Sequence, residues 1–223
     1  TWAVQVQKGV GASMLSDGSV GGSVNIITES PSDRFSVEIG SYANVYGKHT
    51  PTAPGLQGIG GGPFKEYIKI SSGALPHGWS MNLMASYVGG KGYVQSTSVN
   101  SYAYMLNIAK EFGTEHHLIF TALGSPERHE QRSSRLSADD IDKYGRNYSR
   151  NWGYRDGKAF NLSKNNYFKP YFTLQHIWDG SRLSMKNSIY LAIGNGGGRW
   201  SETKGKGISS FMTEDGHIDW DTV

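Results

Sequence analysis

The sequence predicts an all-β chain, a transmembrane antiparallel β-barrel. Three observations predict it. Apolar and polar residues alternate over stretches of about ten residues, as strands of a barrel do. Long helical periodicity is nearly absent. The connections between alternating stretches switch between short and long, which gathers all short turns at one end of a sheet and all long loops at the other.

The elements follow in order. Strands are expected at about 35–45, 66–75, 79–87, 102–112, 116–124, 167–178 and 182–193. The clearest is Trp79 to Tyr87, where the odd positions Trp79, Met81, Leu83, Ala85 and Tyr87 are apolar and the even ones are polar except Met84. From 182 to 193, Leu183, Met185, Ile189, Leu191 and Ile193 share one face, interrupted by Asn187. Arg182, Ser184, Lys186 and Ser188 share the other. Tyr102, Tyr104, Leu106, Ile108 and Phe112 line a third apolar face, with Lys110 near its end. Pro76-His77-Gly78, Gly113-Thr114-Glu115 and Asp179-Gly180-Ser181 are turn-forming triplets. The links at about 46–65, 88–100 and 125–166 are long. Trp79, Phe112 and Trp178 flank the short turns, and Tyr87, Tyr102, Tyr104, Tyr171 and Phe172 lie toward the long loops. Two aromatic bands around an apolar zone match the girdles of a membrane barrel. Seven strands do not close a bacterial barrel, which uses even numbers, so the chain is expected to be an arc of a larger one.

Composition narrows the function classes. The chain has no cysteine among 223 residues, which excludes a disulfide scaffold, a cysteine zinc site and a cysteine nucleophile. Lys and Arg total 22 against 19 Asp and Glu, a net +3 too small to argue for nucleic acid. Mean hydropathy is −0.48, and no run approaches the ~18 apolar residues of a membrane helix. Glycine, at 30 of 223 residues, is nearly twice its usual ~7%. No leader precedes Thr1, which already lies inside a strand-like stretch, so the true N-terminus is expected upstream.

Residues 1–29 differ in style. A strand ends in Lys8-Gly9, a Ser-containing linker follows, and Gly21-Gly22-Ser23-Val24-Asn25-Ile26-Ile27-Thr28 opens a second strand. The small residues Gly21, Gly22 and Ser23 let two backbones approach closely. In order and spacing this stretch resembles the end of the plug domain of TonB-dependent outer-membrane transporters. It departs from them at Val10, where a proline often stands, and at Ser16-Asp17-Gly18, where Tyr-Gly is usual. The matching positions are Lys8, Gly9, Gly21, Gly22, Asn25, Ile26 and Thr28. The first barrel strands followed by the long loop from Ser125 to Arg135 also resemble the family, Gly92-Tyr93 resembles the second external loop of such barrels, and the style is that of a Bacteroidota-type member.

The resemblance implies a 22-stranded barrel with an N-terminal plug. Residues 1–30 would end the plug, and 31–223 would form roughly the first seven strands. It further implies a receptor of the bacterial outer membrane that imports a ligand, energised through a TonB box upstream of this chain. No enzymatic activity and no cofactor are implied. The partners would be outer-membrane lipid, the TonB system, and a surface lipoprotein or another outer-membrane protein, with no nucleic acid. The alternatives are a passive porin, a structural barrel in a larger outer-membrane complex, and a soluble β-rich binding module.

The 125–166 loop is the richest candidate for binding. Six of the nine arginines lie in it, and Arg128, Arg132, Arg135, Arg146 and Arg150 interleave with Tyr144, Tyr148, Trp152 and Tyr154. Guanidinium groups beside aromatic rings can grip anions bidentately or stack on flat ligands. The bland alternative is a loop packed on its own aromatics and ion pairs. Within it, Ser137 followed by Asp139, Asp140 and Asp142, with Gly145 after, predicts a short capped helix. No metal site is expected. The adjacent His116 and His117 must point to opposite faces of a strand, and Asp215, Asp219 and Asp221 lack the spacing of a calcium loop. The glycine runs at 58–62 and 194–198 fit no phosphate-binding pattern and are expected to be external loops.

Overall fold

The computed structural model describes residues 3–8, 22–27, 32–45, 61–199, 203 and 205–223. It is an all-β chain of mostly antiparallel sheet with one short α-helix. Ala3–Lys8 (β1) and Gly22–Ile27 (β2) form an antiparallel pair, with Lys8 opposite Gly22 and Gln5 opposite Asn25. The expected pair of strands in this stretch is therefore present. Gly9, Gly21 and Thr28 lie outside the described residues.

The main sheet is a meander. Its strands are Phe35–Val45 (β3), Gly61–Ser72 (β4), Trp79–Lys91 (β5), Ser98–Phe112 (β6) and His116–Gly124 (β7). Glu127–Glu130 (β8), helix α1 at Ala138–Tyr144, Trp152–Arg155 (β9), Lys158–Asn161 (β10) and Lys164–Phe168 (β11) follow. Tyr171–Asp179 (β12), Ser184–Ala192 (β13), Asn195–Gly198 (β14) and Ile218–Asp219 (β15) complete the chain. Along the sheet the order is β3-β4-β5-β6-β7-β12-β13, every pair antiparallel. Above β6, the order continues through β8, β11 and β14.

The seven strands are those expected, with four adjustments. The second runs 61–72 rather than 66–75, because Gly73 takes φ +69° and ends it. The expected strand at 167–178 is two strands. Pro170 has no N–H to give a ladder, and the chain changes partners there, from β8 and β14 to β7 and β12's other neighbour β13. The link expected at 88–100 shrinks to residues 92–97, since β5 and β6 continue pairing up to Lys91 opposite Ser98. The glycine run at 194–198 is largely strand β14, not an irregular loop, because its backbone pairs with β11.

Register makes the two faces of the sheet explicit, because residues directly opposite each other in an antiparallel ladder point the same way. One row crosses all seven strands as Val37, Ile70, Leu83, Leu106, Ala122, Phe172 and Leu191. One residue along, on the other face, the row reads Ser36, Ser71, Asn82, Asn107, Thr121, Thr173 and Tyr190. Exposure runs opposite to that of a water-soluble sheet. Val37, Leu83 and Leu191 are 49%, 42% and 55% exposed, whereas Ser71 and Asn107 are 5% and 4% exposed. The contrast holds in the middle strands at Leu83, Ser71 and Asn107, while Ala122 of the apolar row is covered and Ser36 and Tyr190 of the polar row, on the outermost strands, are open.

Aromatic residues mark both ends of the apolar face. At the short-turn end, the Lys110 ammonium sits 5.2 Å over both Trp79 and Phe112 and donates to the His77 carbonyl. This accounts for a lysine on the apolar side: its stem lies along the rings and its charge reaches the turn. At the other end Tyr87 packs against Tyr102 (4.8 Å between centroids) and Phe64 (5.6 Å).

Candidate functional site

The residues beyond the long-loop ends of the strands build two features. The first is a compact lobe made from two separate stretches of chain. β9 pairs antiparallel with β10 and parallel with β15, so residues 152–161 and 218–219 share one small sheet. Gly153 allows this. A Cβ there would stand 1.8 Å from the Ile218 carbonyl oxygen, so only glycine lets the two backbones meet. Tyr148 and Trp152, 1% and 3% exposed, form the lobe's core with Ile218 and Trp220. Tyr144 stacks on Tyr148 at 4.4 Å, Trp152 meets His217 at 4.4 Å, and Phe160 meets Trp220 at 5.2 Å. The Tyr148 hydroxyl donates to the Gly216 carbonyl at 2.5 Å, and Trp152 Nε1 donates to Gln95 Oε1 at 3.3 Å. Burial pushes the Tyr148 phenol up to about 12.

Helix α1 is held as the sequence predicts. Ser137 Oγ accepts from the Asp140 amide at 3.1 Å, and the Asp140 carboxylate accepts from the Ser137 amide at 2.8 Å, a reciprocal capping box. The same carboxylate takes Arg150 Nη2 on both oxygens, at 2.6 and 2.7 Å. The Arg150 guanidinium, then the Ser137 donors, hold the Asp140 carboxyl below the usual carboxylate range. The pairing raises Arg150 in turn. Arg132 Nη1 donates to the carbonyls of Arg146 and Tyr148 at 3.0 and 2.9 Å.

The nine predicted binding residues therefore separate. Tyr148 and Trp152 are core, Tyr144 packs on that core, and Arg132 and Arg150 tie loop segments together. Of the expected interleaved aromatic and cationic surface, Tyr148 and Trp152 are covered, and Arg132, Tyr144 and Arg150 are half-buried in contacts within the chain. Arg135, Arg146 and Tyr154 are exposed on the lobe. Arg128 stands apart, on β8.

The second feature is a cavity of about 730 Å³ around Arg128. Strand β6 contributes Ser98, Asn100 and Tyr102, β8 contributes residues 127–130, β11 and β14 contribute Lys164, Asn166, Tyr167, Phe168 and Asn195, and Pro126 completes the wall. On β6 only alternate residues line it, whereas β8 lends four consecutive residues and β11 three. Its charges are largely matched internally. Glu130 accepts from Ser98 Oγ at 2.6 Å and lies 3.5 Å from the Lys164 ammonium, while Glu127 lies 2.5 Å from His129. Arg128 has no such partner among the described residues. The sequence signalled Arg128 only as one arginine of many. The asparagines and Tyr102 were missed, because 66 positions separate Asn100 from Asn166 in the chain, and only the ladders Asn100–Arg128 and Arg128–Asn166 bring them together.

Histidine gives a further pairing that local reasoning missed. His116 and His117 do point to opposite faces, but His116 Nδ1 meets His176 Nε2 at 3.0 Å across the β7–β12 ladder, their rings stacked. Asp215 and Asp221 serve the lobe: Asp215 meets the Thr213 hydroxyl and the His217 ring, and Asp221 accepts from the Asp156 amide at 2.9 Å. No family model matches the chain, and no curated protein or solved structure matches it.

Proposed function

We propose that this chain is an arc of a transmembrane β-barrel in a bacterial outer membrane, and that the barrel imports a ligand through TonB-dependent energisation. The observation that carries the membrane part is the pair of rows across the seven strands. A row of Val, Ile, Leu, Leu, Ala, Phe and Leu, open at Val37, Leu83 and Leu191, lies back to back with a row of Ser, Ser, Asn, Asn, Thr, Thr and Tyr, closed at Ser71 and Asn107. At ~4.8 Å per strand the apolar band is about 29 Å wide. The eight-residue rise from Trp79 to Tyr87 spans about 26 Å along the strand. A band of about 29 by 26 Å outlines roughly 750 Å², above the ~300–600 Å² of the largest apolar patch on a typical soluble monomer. It fits the ~25 Å apolar band of a barrel, whose lumen side is polar.

The transport part rests on the resemblance of residues 1–29 to a plug ending, supported by the β1–β2 pair. In such a protein the plug fills the lumen, and Ser80, Asn82, Ser86, Ser184, Lys186 and Ser188 on the polar face would meet plug or water. The lobe of residues 131–162 and 205–223 would stand at the external mouth. No step of this function is covalent, so the reading is of a carrier rather than an enzyme. Two measurements test it. A folded form that needs detergent and shifts in electrophoretic mobility on heating supports the barrel, and a soluble monomer refutes it. Uptake abolished by dissipating the inner-membrane proton gradient supports energised transport, and gradient-independent flux refutes it in favour of a passive pore.

A further inference from the structure

We propose that the cavity around Arg128 binds an anionic saccharide headgroup presented by a glycolipid of the outer leaflet, and that it lies off the path of any transported ligand. The inference rests on the membrane reading above, and its first support is parity. Arg128 is opposite Asn100 and Asn166, and Asn100 is opposite Gly89. Counting down β6 by twos from Asn100 leads through Tyr102 and Tyr104 to Leu106, which belongs to the exposed apolar row. On β6 the cavity therefore opens on the outer face, as it does at Arg128, Asn166 and Asn195, while Glu127, His129 and Tyr167 border it from the opposite parity. The lumen-side residues of the same stretch of β6 are Val99, Ser101 and Ala103, none of which lines it. A ligand travelling through the lumen has a sheet between itself and Arg128.

Height is the second support. Tyr102 belongs to the upper aromatic pair, and Asn100 and Ser98 stand about 7 and 13 Å further along the strand. The cavity thus begins where the apolar band ends, at the level of lipid headgroups. Its chemistry is the third. Tyr102 and Phe168 offer exposed rings for the apolar face of a sugar, and Asn100, Asn166 and Asn195 offer amide donors and acceptors for hydroxyls. The Arg128 guanidinium is free for one carboxylate or phosphate oxygen pair. A bare phospholipid phosphate would use the arginine but leave the three amides idle, and a densely anionic group would meet Glu127 and Glu130. A polyhydroxylated group carrying an acidic substituent uses the whole wall.

The test uses the full chain, purified in detergent and transferred to vesicles. The probes are rough lipopolysaccharide, the acidic oligosaccharide released from it by mild hydrolysis, and phosphatidylglycerol. Expected results are retention of lipopolysaccharide by the wild type, with Arg128→Ala and Asn166→Ala each weakening it about tenfold or more through lost charge-assisted and amide hydrogen bonds. Lys186→Ala, on the opposite face, should bind as the wild type does. Free oligosaccharide should compete, which identifies the headgroup as the recognised part. Equal binding by the wild type and Arg128→Ala, both shown folded by their heat-dependent mobility, overturns the proposal. So does Arg128-dependent binding of phosphatidylglycerol with no competition by oligosaccharide. A chain that proves soluble without detergent yet binds free oligosaccharide through Arg128 overturns the membrane source and the barrel reading while leaving the saccharide site standing.

Discussion

Leu83 is the position where the membrane reading and a soluble sheet make opposite demands. It lies in the exposed apolar row, opposite Ile70 and Leu106, four residues from Trp79 and four from Tyr87. It is 42% exposed. In water, Leu83→Lys places an amphipathic chain on a half-open surface, and the expected cost is about 1 kcal/mol or less. At the midplane of a bilayer the same substitution on a lipid-facing strand costs about 2–4 kcal/mol. At ~1.4 kcal/mol per decade, that is a roughly 30- to 800-fold loss in the folded-to-unfolded ratio. Ser86→Lys is the matched control, since residue 86 is opposite Tyr67 and Ala103 on the polar face and should lose little. The assay is denaturant titration of each variant in lipid vesicles, read by the mobility shift on heating and by protection from protease. A Leu83→Lys loss no larger than that of Ser86→Lys, or a wild type that folds fully without any amphiphile, refutes the assignment of the apolar face to lipid.

The remaining predictions concern the lobe. Gly153→Ala forces a methyl group onto the Ile218 carbonyl, so residues 205–223 should detach, seen as rapid amide exchange at Ile218 and early proteolysis there, with the strands of the main sheet still protected. Tyr148→Phe removes a buried hydroxyl from the Gly216 carbonyl and should lower lobe stability by about 1–2 kcal/mol in exchange measurements. Asp140→Asn weakens both the capping box and the Arg150 pair and should cost about 1–3 kcal/mol, with Arg150→Ala non-additive in the double variant. Because Arg150 and the Ser137 donors lower the Asp140 pKa in the folded state, its contribution is present above the unfolded pKa of ~3.9. It is lost as pH falls through the folded value, so the protection factor of the α1 amides, exchange divided by its intrinsic rate at each pH, should be flat from pH 7 to about 4 and fall below that.

Strand positions were readable in the sequence because a strand half in one environment and half in another writes its period directly into the residues. Trp79 to Tyr87 alternates, and the observed β5 begins at Trp79. The errors came where alternation was not the deciding force. The ladder ends at Gly73 for a dihedral reason and breaks at Pro170 for lack of an N–H. Asn195–Gly198 has almost no side chains to alternate, yet it pairs through its backbone with β11. Asn187 interrupts its apolar face for a reason two strands wide: its amide is 3.4 Å from His176, which is itself paired with His116.

The loop residues show why the binding surface could not be read in the same way. In a strand, burial follows from parity. In the 125–166 loop it follows from which distant segment closes over each side chain, and that segment is residues 216–220, more than fifty positions later. Tyr144, Tyr148, Trp152 and Tyr154 look equivalent in sequence, but Gly216 meets Tyr148 and His217 meets Trp152, both buried, while Tyr154 stays exposed at the edge. The arginines divide by the same rule. Arg132 and Arg150 find carbonyls or a carboxylate brought by the folded lobe, so their charge is spent internally. Arg128 is held by a ladder rather than by the lobe, and its two flanking acids already have partners in His129, Ser98 and Lys164. Arg128 is thus a guanidinium whose neighbours are satisfied, on a face whose parity is fixed by the strand beneath it, and unlike the exposed Arg135 and Arg146 of the lobe it lines the cavity.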